Sequence, residues 1–287
     1  MSTECTGKLI LERADRRLID CKKCGYMHIF PMYTEEELEH FYENVYSEST
    51  PSYIWYEKFH NIQRWKPQGT VLDIGCWEGA QLEIFKEHGW KCTGIELNKK
   101  AAATATTRGL EVHQLSIQEF FKKFRGARRW DVINVAYILE HIPKPADFLK
   151  KIGAFLKKGG FIIVEVPNEF SPFQIAYLKE HSMSPYWIKL PDHVNYFNKR
   201  GLENLMKSTG WKKIHGHTSF PMEMFLLMGD NYLKDNKLGR RSFRKVVEME
   251  RILRLYKTGL VSRMYSALYH CGIGRSLVIY AQKKKMR

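Results

Sequence analysis

The residues best suited to bind a ligand surround a glycine turn, in the stretch "TVLDIGCWEGAQLEIF" at positions 70–85. An apolar run contains Asp73, two glycines follow at Gly75 and Gly79, and a helix-like pattern comes next. The G-x-G-x-x-G spacing of dinucleotide sites is absent, and a carboxylate here would repel a diphosphate, so Asp73 favours a ligand with an ammonium group. Glu96, 21 residues after Gly75, has the spacing of an acid that accepts hydrogen bonds from a ribose diol.

Strands and helices alternate around this turn. The predicted strands are 70–75, 91–96, 110–114, 130–136 and 161–166, and the predicted helices are 79–88, 98–109 and 145–157. This alternation predicts a parallel sheet with helices on both faces. Such sheets bind ligands beyond the carboxyl ends of their strands, so Gly75 and Glu96 would meet at one edge. A ligand that carries both a ribose and an amino-acid ammonium group points to S-adenosylmethionine.

The flanking segments have a different pattern. A capping box, Thr34-Glu35-Glu36-Glu37, predicts a helix, and a loop-rich stretch is predicted at 168–197. The expected organisation is a ribbon-like N-terminal segment with helices at 1–66, a core at 67–221 and 273–287, and a basic helical insertion at 222–272.

Three segments, taken in order, resemble class I S-adenosylmethionine-dependent methyltransferases. "VLDIGCWEGA" is similar to the first motif of that family and "GIELN" to its acidic second-strand motif. "WDVINVAYILEHIPKPADFLKKIGAFLKKGGFIIVEVPN" is similar to the pattern from its fourth strand to its fifth. The resemblance covers about 70–220 and returns at 275–282. It implies an α/β, Rossmann-like, seven-stranded mixed sheet whose last strand, "SLVIYAQ", runs antiparallel.

The resemblance also implies how the cofactor is held. Asp73 would reach the ammonium group, directly or through water, and the Gly75 backbone would contact the methionine part. Glu96 would bind the ribose hydroxyls, and Leu97 would lie against the adenine. Ser116 stands where family members often carry an acid for the adenine amine, and a simple helix cap is the preferred interpretation of this serine. The implied cofactor-binding set is Asp73, Gly75, Cys76, Gly79, Glu96, Leu97 and Ser116.

Two histidine-containing segments indicate the acceptor side. "AYILEHIP" lacks the Asn/Asp-Pro-Pro-aromatic motif of methyltransferases that act on base amines, which disfavours base N-methylation. "LPDHVNYFNKRGLENLMKSTGW" resembles a motif of bacterial saccharide and natural-product methyltransferases. His193 in that segment would accept the proton of a hydroxyl group or orient the acceptor; alternatively, it only packs the loop. His141 would lie near the reactive end of the cofactor or hold the loop before Pro143.

The predicted reaction is methyl transfer to a hydroxyl of a sugar, a nucleotide sugar or a glycan. A carbon next to a sugar keto group is a variant. Two alternatives stay open. An RNA base methyltransferase would need a zinc-folded front segment and salt-dependent RNA binding. The second alternative is a cofactor-binding or interaction protein that kept the fold and lost catalysis. The intact Asp73, Gly75 and Glu96 argue against this alternative.

Positive charge is concentrated towards the C-terminal end. Of the formal net charge of +15 on 287 residues, positions 231–287 contribute +12, from fifteen Lys and Arg and three acidic residues. This charge favours an anionic acceptor or an anionic membrane surface, with nucleic acid less favoured; the alternative is a solvated helix face. The predicted apolar stripe is Phe243, Val246, Val247, Leu253 and Tyr256, and the predicted basic face is Arg240, Arg241, Arg244, Lys245, Arg251 and Arg254.

No apolar run approaches the roughly 18 residues of a membrane span, and the N-terminal residues lack the apolar region of a signal peptide. The sequence therefore predicts a cytoplasmic protein. The basic charge described above adds the expectation of a peripheral contact at the inner membrane face. The oligomeric state is left open.

The front cysteines resemble a zinc ribbon that several of these enzymes carry as two C-x-x-C pairs. Cys21 and Cys24 form the second pair, whereas the first is reduced to Cys5. His28 would supply a fourth ligand, but it sits in an apolar, strand-like run. The sequence favours a degenerate ribbon without metal and leaves the question undecided. The other cysteines are interpreted as small core residues: Cys76, Cys92 and Cys271.

Overall fold

The predicted alternation of strands and helices is present in the computed structural model, which describes residues 5–13, 15–44, 53–126, 129–257 and 259–284. The strands in those ranges are β1 (Gly7–Arg13), β2 (Arg16–Cys21), β3 (Met27–Phe30), β4 (Thr70–Ile74), β5 (Lys91–Glu96), β6 (Glu111–Gln114), β7 (Trp130–Ala136), β8 (Leu156–Pro167), β9 (Asn195–Tyr196), β10 (Trp211–Thr218) and β11 (Ser276–Lys283). The helices are α1 (Glu35–Asn44), α2 (Tyr53–Gln63), α3 (Ala80–Glu87), α4 (Lys99–Thr107), α5 (Ile117–Lys123), α6 (Pro145–Ile152), α7 (Pro172–His181), α8 (Lys199–Ser208), α9 (Glu223–Leu227), α10 (Asn236–Tyr256) and α11 (Leu260–His270).

Seven strands form one mixed sheet in the order β10-β11-β8-β7-β4-β5-β6. Strands β4 to β8 pair in parallel, and β11 pairs antiparallel with both β8 and β10. This confirms the predicted Rossmann-like sheet with an antiparallel last strand. The chain builds outwards from β4 through β5 and β6, then returns to place β7 on the other side of β4. The carboxyl ends of β4 and β7 therefore flank a topological switch point, where α/β folds bind ligands.

The central strands are buried on both faces of this sheet. Trp130, Val132, Ile133 and Val135 of β7 are fully inaccessible, as expected for a parallel strand between two helical layers. One face packs against α5, α6 and α8, and the other packs against α2 and α3. The side chains that could carry function are consequently those at the strand ends.

A smaller antiparallel sheet has the order β1-β2-β3-β9. Its last pairing joins β3 to β9, which lies between α7 and α8 in the chain. A third apolar cluster, which includes Ile29, Trp187 and Tyr196, packs beside this sheet. The N-terminal strands are thereby tied by backbone hydrogen bonds to a loop of the larger core.

The structure differs from the prediction at the start of β8. The sequence predicts a helix to 157 and a strand from 161, whereas α6 ends at Ile152 and β8 begins at Leu156. The reason is that Leu156 pairs with Trp130 in the parallel ladder, and an irregular register follows. Gly160 fits this irregularity because a Cβ atom there would lie 2.7 Å from the carbonyl oxygen of Asp131.

The predicted loop at 168–197 contains the helix α7. Its start is a capping box, in which Ser171 Oγ accepts from the Gln174 backbone N–H and Gln174 Oε1 accepts from the Ser171 backbone N–H. The S-x-x-Q spacing at 171–174 is the sequence signal that predicts such a start.

The helices between β10 and β11 present their side chains differently from the prediction. Val246 of α10 is buried, as expected of the apolar stripe, but Tyr256 is 81% exposed. Arg254 points inward, where its Nη1 lies 2.5 Å from Glu57 Oε2, so it does not belong to a basic face. Among the helices of the described ranges, none has the length and apolar character needed to cross a membrane. The division of the chain into domains stays a prediction.

A buried ion pair joins α2 to β8. Lys58 Nζ lies 2.7 Å from Glu165 Oε2, and both side chains are fully inaccessible. Lys58 also donates to Gln81 Oε1 at 3.1 Å, and the Tyr137 hydroxyl donates to Glu165 Oε1 at 3.0 Å. Burial alone raises the pKa of Glu165, but the Lys58 ammonium and these hydrogen bonds bring it below its usual value.

Lys58→Ala is expected to lower the free energy of unfolding by about 3–5 kcal/mol, because it leaves the Glu165 carboxylate buried without a counter-charge. The control is Arg251→Ala, which removes an exposed ion pair with Glu248 and should cost less than about 1 kcal/mol. Urea denaturation followed by circular dichroism measures both losses. Similar, small losses for the two variants would show that the buried pair is not needed for stability.

Candidate active site

A cleft of about 520 Å³ opens beside the carboxyl ends of β4 to β7. Each strand contributes the residues at or just after its end, and α1, α5 and α6 close the sides. The lining residues from the strands and the turns that follow them are Ile74, Gly75, Trp77, Ile95, Glu96, Leu97, Leu115, Ser116, Tyr137 and Ile138.

The glycine turn forms one wall of the cleft. Gly75 has a φ angle of +72°, which residues with a Cβ atom rarely adopt. A Cβ atom there would also lie 2.3 Å from Cδ1 of Ile138. The backbone N–H groups of Gly75 and Cys76 donate to the carbonyl of Ile95 at 2.8 and 3.0 Å. The turn is thus fixed to the neighbouring strand β5.

Glu96 is held in the cleft wall by backbone groups. Its Oε2 accepts from the Trp77 N–H at 2.9 Å, and its Oε1 accepts from the Asn98 N–H at 2.7 Å. Burial raises the pKa of this carboxyl group, and the backbone N–H groups oppose that shift. Each carboxylate oxygen has a second lone pair, so Glu96 can also accept hydrogen bonds from two adjacent hydroxyl groups. This arrangement fits the ribose of S-adenosylmethionine.

Asp73, Cys76 and Gly79 are not among the described residues that line the cleft. Asp73 lies beneath the turn, where its Oδ1 accepts from Asn134 Nδ2 at 2.6 Å and burial raises its pKa to about 6. Cys76 Sγ would lie 2.5 Å from a Cβ atom on Gly94 of β5, and Gly79 is the N-cap residue of α3, with a φ angle of +77°. These residues shape the turn from behind, and the predicted contact of Asp73 with an ammonium group, directly or through water, stays a prediction.

Ser116 lines the cleft and also caps α5. Its Oγ accepts from the Glu119 N–H at 3.3 Å, and Glu119 Oε2 accepts from the Ser116 N–H at 2.8 Å, as the simple-cap interpretation expects.

Sequence reasoning missed Gln118, which lies in the first turn of α5. Its only sequence signal is that this helix follows a strand end. Its Nε2 donates to Glu35 Oε2 at 2.7 Å. This bond holds α1 over the cleft.

Two histidines stand together at the other side of the cleft. His141 lines it, and His193 lies behind, with ring centroids 5.1 Å apart. His141 Nδ1 lies 2.7 Å from the Asp192 carbonyl oxygen, and His193 Nδ1 lies 3.0 Å from Glu169 Oε1. Burial lowers the pKa of His141 to about 4 and also lowers the pKa of His193. Both rings are therefore neutral near pH 7. His141 lies at the cleft surface, and the predicted catalytic role of His193 stays a prediction.

Asn195, which sequence reasoning also missed, ties the two histidine loops together. Its Nδ2 donates to the carbonyls of Leu139 and Ile142 at 2.9 and 2.7 Å. The N–H groups of Val194 and Asn195 both donate to the carbonyl of Glu140, at 2.8 and 3.0 Å. In the sequence, the signal for this role is an amide side chain between apolar residues, in "HVNYF". These four bonds fix the two histidines relative to each other.

The family model described as a methyltransferase domain matches residues 51–215, more than half of the chain. The chain therefore belongs to the methyltransferase-domain family. A SAM-dependent methyltransferase from Archaeoglobus fulgidus is similar in structure, with a TM-score of 0.53 and 17% identity over 80% of this chain and 93% of that one. The plantazolicin methyltransferase BamL, solved with a triazolic desmethylPZN analog and SAH, has a TM-score of 0.53 and 14% identity, over 87% and 91% of the two chains.

Curated relatives cover a smaller part of the chain. Ubiquinone biosynthesis O-methyltransferases of Sodalis glossinidius and Nitrosococcus oceani are 31% and 35% identical over 104 residues. These matches cover 34% of this chain and 41% and 43% of those proteins. The chain thus spans less than half the length of the curated relatives it matches. The predicted methyltransferase class and its cofactor, S-adenosylmethionine, are confirmed at the level of the family.

Glu96→Gln is expected to weaken binding of S-adenosylmethionine and of its demethylated product roughly 10- to 150-fold. It removes charge-assisted hydrogen bonds to the ribose, which contribute about 1.5–3 kcal/mol. Isothermal titration calorimetry measures the change, and Glu87→Gln on the exposed end of α3 is the control. An unchanged affinity for Glu96→Gln would remove this residue from the cofactor site.

Proposed function

We propose that the protein is an O-methyltransferase, which moves the methyl group of S-adenosylmethionine to a hydroxyl group, and that His141 accepts the hydroxyl proton. The observation that carries this proposal is that His141 lies in the same cleft as Gly75 and Glu96. The relatives' name, O-methyltransferase, supports oxygen as the acceptor atom.

The two histidines have separate roles in this proposal. Bound S-adenosylmethionine supplies a methyl group on a positively charged sulfur. Because Nδ1 of His141 donates to the Asp192 carbonyl, the basic lone pair of the neutral ring is on Nε2. As the oxygen–methyl bond forms and the sulfur–methyl bond breaks, the hydroxyl proton passes to this Nε2. His193, held by Glu169, packs against His141 and is a positioning residue.

A saccharide is the first proposed acceptor: a sugar, a nucleotide sugar or a glycan, with a sugar carbon as the variant. Carboxylates accept hydrogen bonds from several hydroxyl groups, and four of them line the cleft outside the Glu96 wall. They are Glu35, Glu39, Asp147 and Asp192. The same carboxylates repel anions, so any phosphate of the acceptor would lie near Lys144 and Lys151, which also line the cleft.

A hydroxyl group of a ubiquinone precursor is the second candidate, because the relatives are named for ubiquinone biosynthesis. The apolar part of the cleft favours it, with Leu38, Phe121, Ile142 and Phe148 in the lining. RNA is disfavoured, since binding its backbone requires a positive surface and this cleft has more acidic than basic side chains.

Transfer of a labelled methyl group distinguishes these acceptors. The protein is incubated with methyl-labelled S-adenosylmethionine and, separately, with nucleotide sugars, lipid-linked glycans, ubiquinone precursors and RNA. Label in a saccharide, lost with His141→Gln, supports the first candidate, and label in the precursor alone selects the second. Label on an RNA base alone, located by nucleoside analysis, would overturn O-methylation, and no transfer in any sample would favour the non-catalytic alternative.

His141→Gln is expected to lower turnover about 10²–10⁴-fold, the usual contribution of a general base, with little change in cofactor affinity. His181→Gln, at the exposed end of α7, is the control. The pKa of His141 is depressed to about 4, so the ring stays neutral above that pH and protonates below it. The wild-type rate should therefore hold down to about pH 5 and fall towards pH 4. Equal single-turnover rates for His141→Gln and wild type would show that His141 is structural.

We further propose that α10 contacts an anionic membrane surface or a lipid-linked phosphorylated acceptor at the inner membrane face. A basic face, defined by Arg240, Arg241, Arg244 and Lys245, is exposed to solvent. Further along the helix, Ile252, Leu255 and Tyr256 are 51%, 75% and 81% exposed. Basic residues near an anionic bilayer contribute about 1 kcal/mol each, and exposed apolar side chains add to such contacts.

Reversing the basic face with Arg240→Glu, Arg241→Glu, Arg244→Glu and Lys245→Glu is expected to abolish sedimentation with anionic liposomes while cofactor binding is retained. The control makes the same charge change at exposed residues of α4 and α5: Lys99, Lys100, Lys122 and Lys123. Liposome sedimentation at two salt concentrations measures both. Equal losses in the two variants would mean that only net charge matters and would contradict a specific role for α10.

A further inference from the structure

Four potential metal ligands converge in the N-terminal sheet. Cys5 precedes β1, Cys21 ends β2, Cys24 lies in the following turn and His28 is in β3. One ligand atom from each lies within 4.8 Å of all the others. Cys5 Sγ and Cys24 Sγ are 3.9 Å apart, which is too long for a disulfide. Two sulfurs bound tetrahedrally to one zinc ion at 2.3 Å would be separated by about 3.8 Å.

The environment of His28 selects the form of the ring that binds metals. The side chain is fully inaccessible, an environment in which an unpaired charge is unfavourable. Its Nδ1 lies 2.8 Å from the Ile29 carbonyl oxygen, which places the proton on Nδ1 and the lone pair on Nε2. That Nε2 is buried and has no hydrogen-bond partner in the described part of the chain. A carbonyl partner on the far nitrogen is the usual support of a metal-binding histidine.

We infer that Cys5, Cys21, Cys24 and His28 form a closed structural site for Zn²⁺. Three sulfurs and one imidazole nitrogen are a common tetrahedral zinc set that leaves no open position for catalysis. A divalent cation explains why three thiols and one imidazole gather at one point, and zinc binding would hold the thiols as thiolates. The apolar run around His28, which argued against a metal in the sequence, is what buries its ring beside the sulfurs.

The site adjoins the loop of the second histidine. His28 pairs with Asn195 in the register of β3 and β9, and Asn195 holds the loops of both histidines. The Ile29 N–H donates to the carbonyl of Val194 at 2.9 Å. Zinc would therefore stabilise β9 and the adjoining loop that holds His193 in position, a consequence that rests on the proposed function.

The metal content of the full chain tests the site. The protein is purified without chelators or a histidine tag and analysed by mass spectrometry for zinc and iron. We expect about one zinc ion per chain in wild type and in the control variant Cys271→Ser. Cys271 is exposed, so the predicted core position of this cysteine is wrong. Zinc should be lost in Cys24→Ser and His28→Ala and retained in His28→Cys, which restores a four-ligand set. Absence of zinc from wild type, iron in its place, or zinc retained in Cys24→Ser would overturn the site.

Wild-type protein provides a second measurement that does not depend on the folding of a variant. Titration with a thiol-reactive mercurial should release zinc to a chromogenic chelator, and methyl transfer should fall with zinc content while cofactor affinity is kept. If wild type contains one zinc ion per chain but methyl transfer is unchanged after the zinc is removed, the positioning role is wrong. Absence of methyl transfer to every acceptor would contradict the proposed function and leave the zinc site standing.

Discussion

The cleft depends on one carboxylate that two backbone N–H groups hold in place. Glu96 accepts from Trp77 in the turn after β4 and from Asn98 at the start of α4, so it fixes two turns at the edge of the sheet relative to each other. Its remaining lone pairs face the same cleft. Glu96 therefore supports the wall of the cleft and is the residue predicted to bind the ribose. The parallel pairing of β4 with β5 brings these turns to one edge.

A second set of hydrogen bonds connects this edge to the acceptor side. Asn195 binds two carbonyls of the loop after β7, and its own strand, β9, belongs to the N-terminal sheet. Strand β9 thus pairs with the small sheet, while its Asn195 binds the loop that follows β7 of the large sheet. For this reason the N-terminal segment is part of the architecture of the cleft, although it lies more than a hundred residues away in the chain.

The sequence predicts those parts of the site that depend on local spacing. The strand–turn–helix pattern, the two glycines and Glu96 are recognisable because each is set by its neighbours in the chain. The position of Asp73 is not, because its partner Asn134 comes from β7 and is opposite to it only in the register of the sheet. The roles of His141 and His193 likewise depend on a contact between two distant loops.

The helical insertion shows the same limit. Periodicity locates α10 and one apolar stripe, but it does not show which charged side chains meet a partner inside the fold. Arg254 follows the basic pattern in the sequence and yet pairs with the buried Glu57. Long-range ion pairs of this kind are decided by packing between segments that the sequence alone does not bring together.

The most direct test of the account is a crystal structure of the protein with the demethylated cofactor bound. The account predicts that the ribose hydroxyls bind Glu96, that the adenine lies between Leu97 and Ser116, and that the sulfur faces His141 across the cleft. Cofactor bound with its sulfur turned away from His141, or bound outside the cleft, would contradict it.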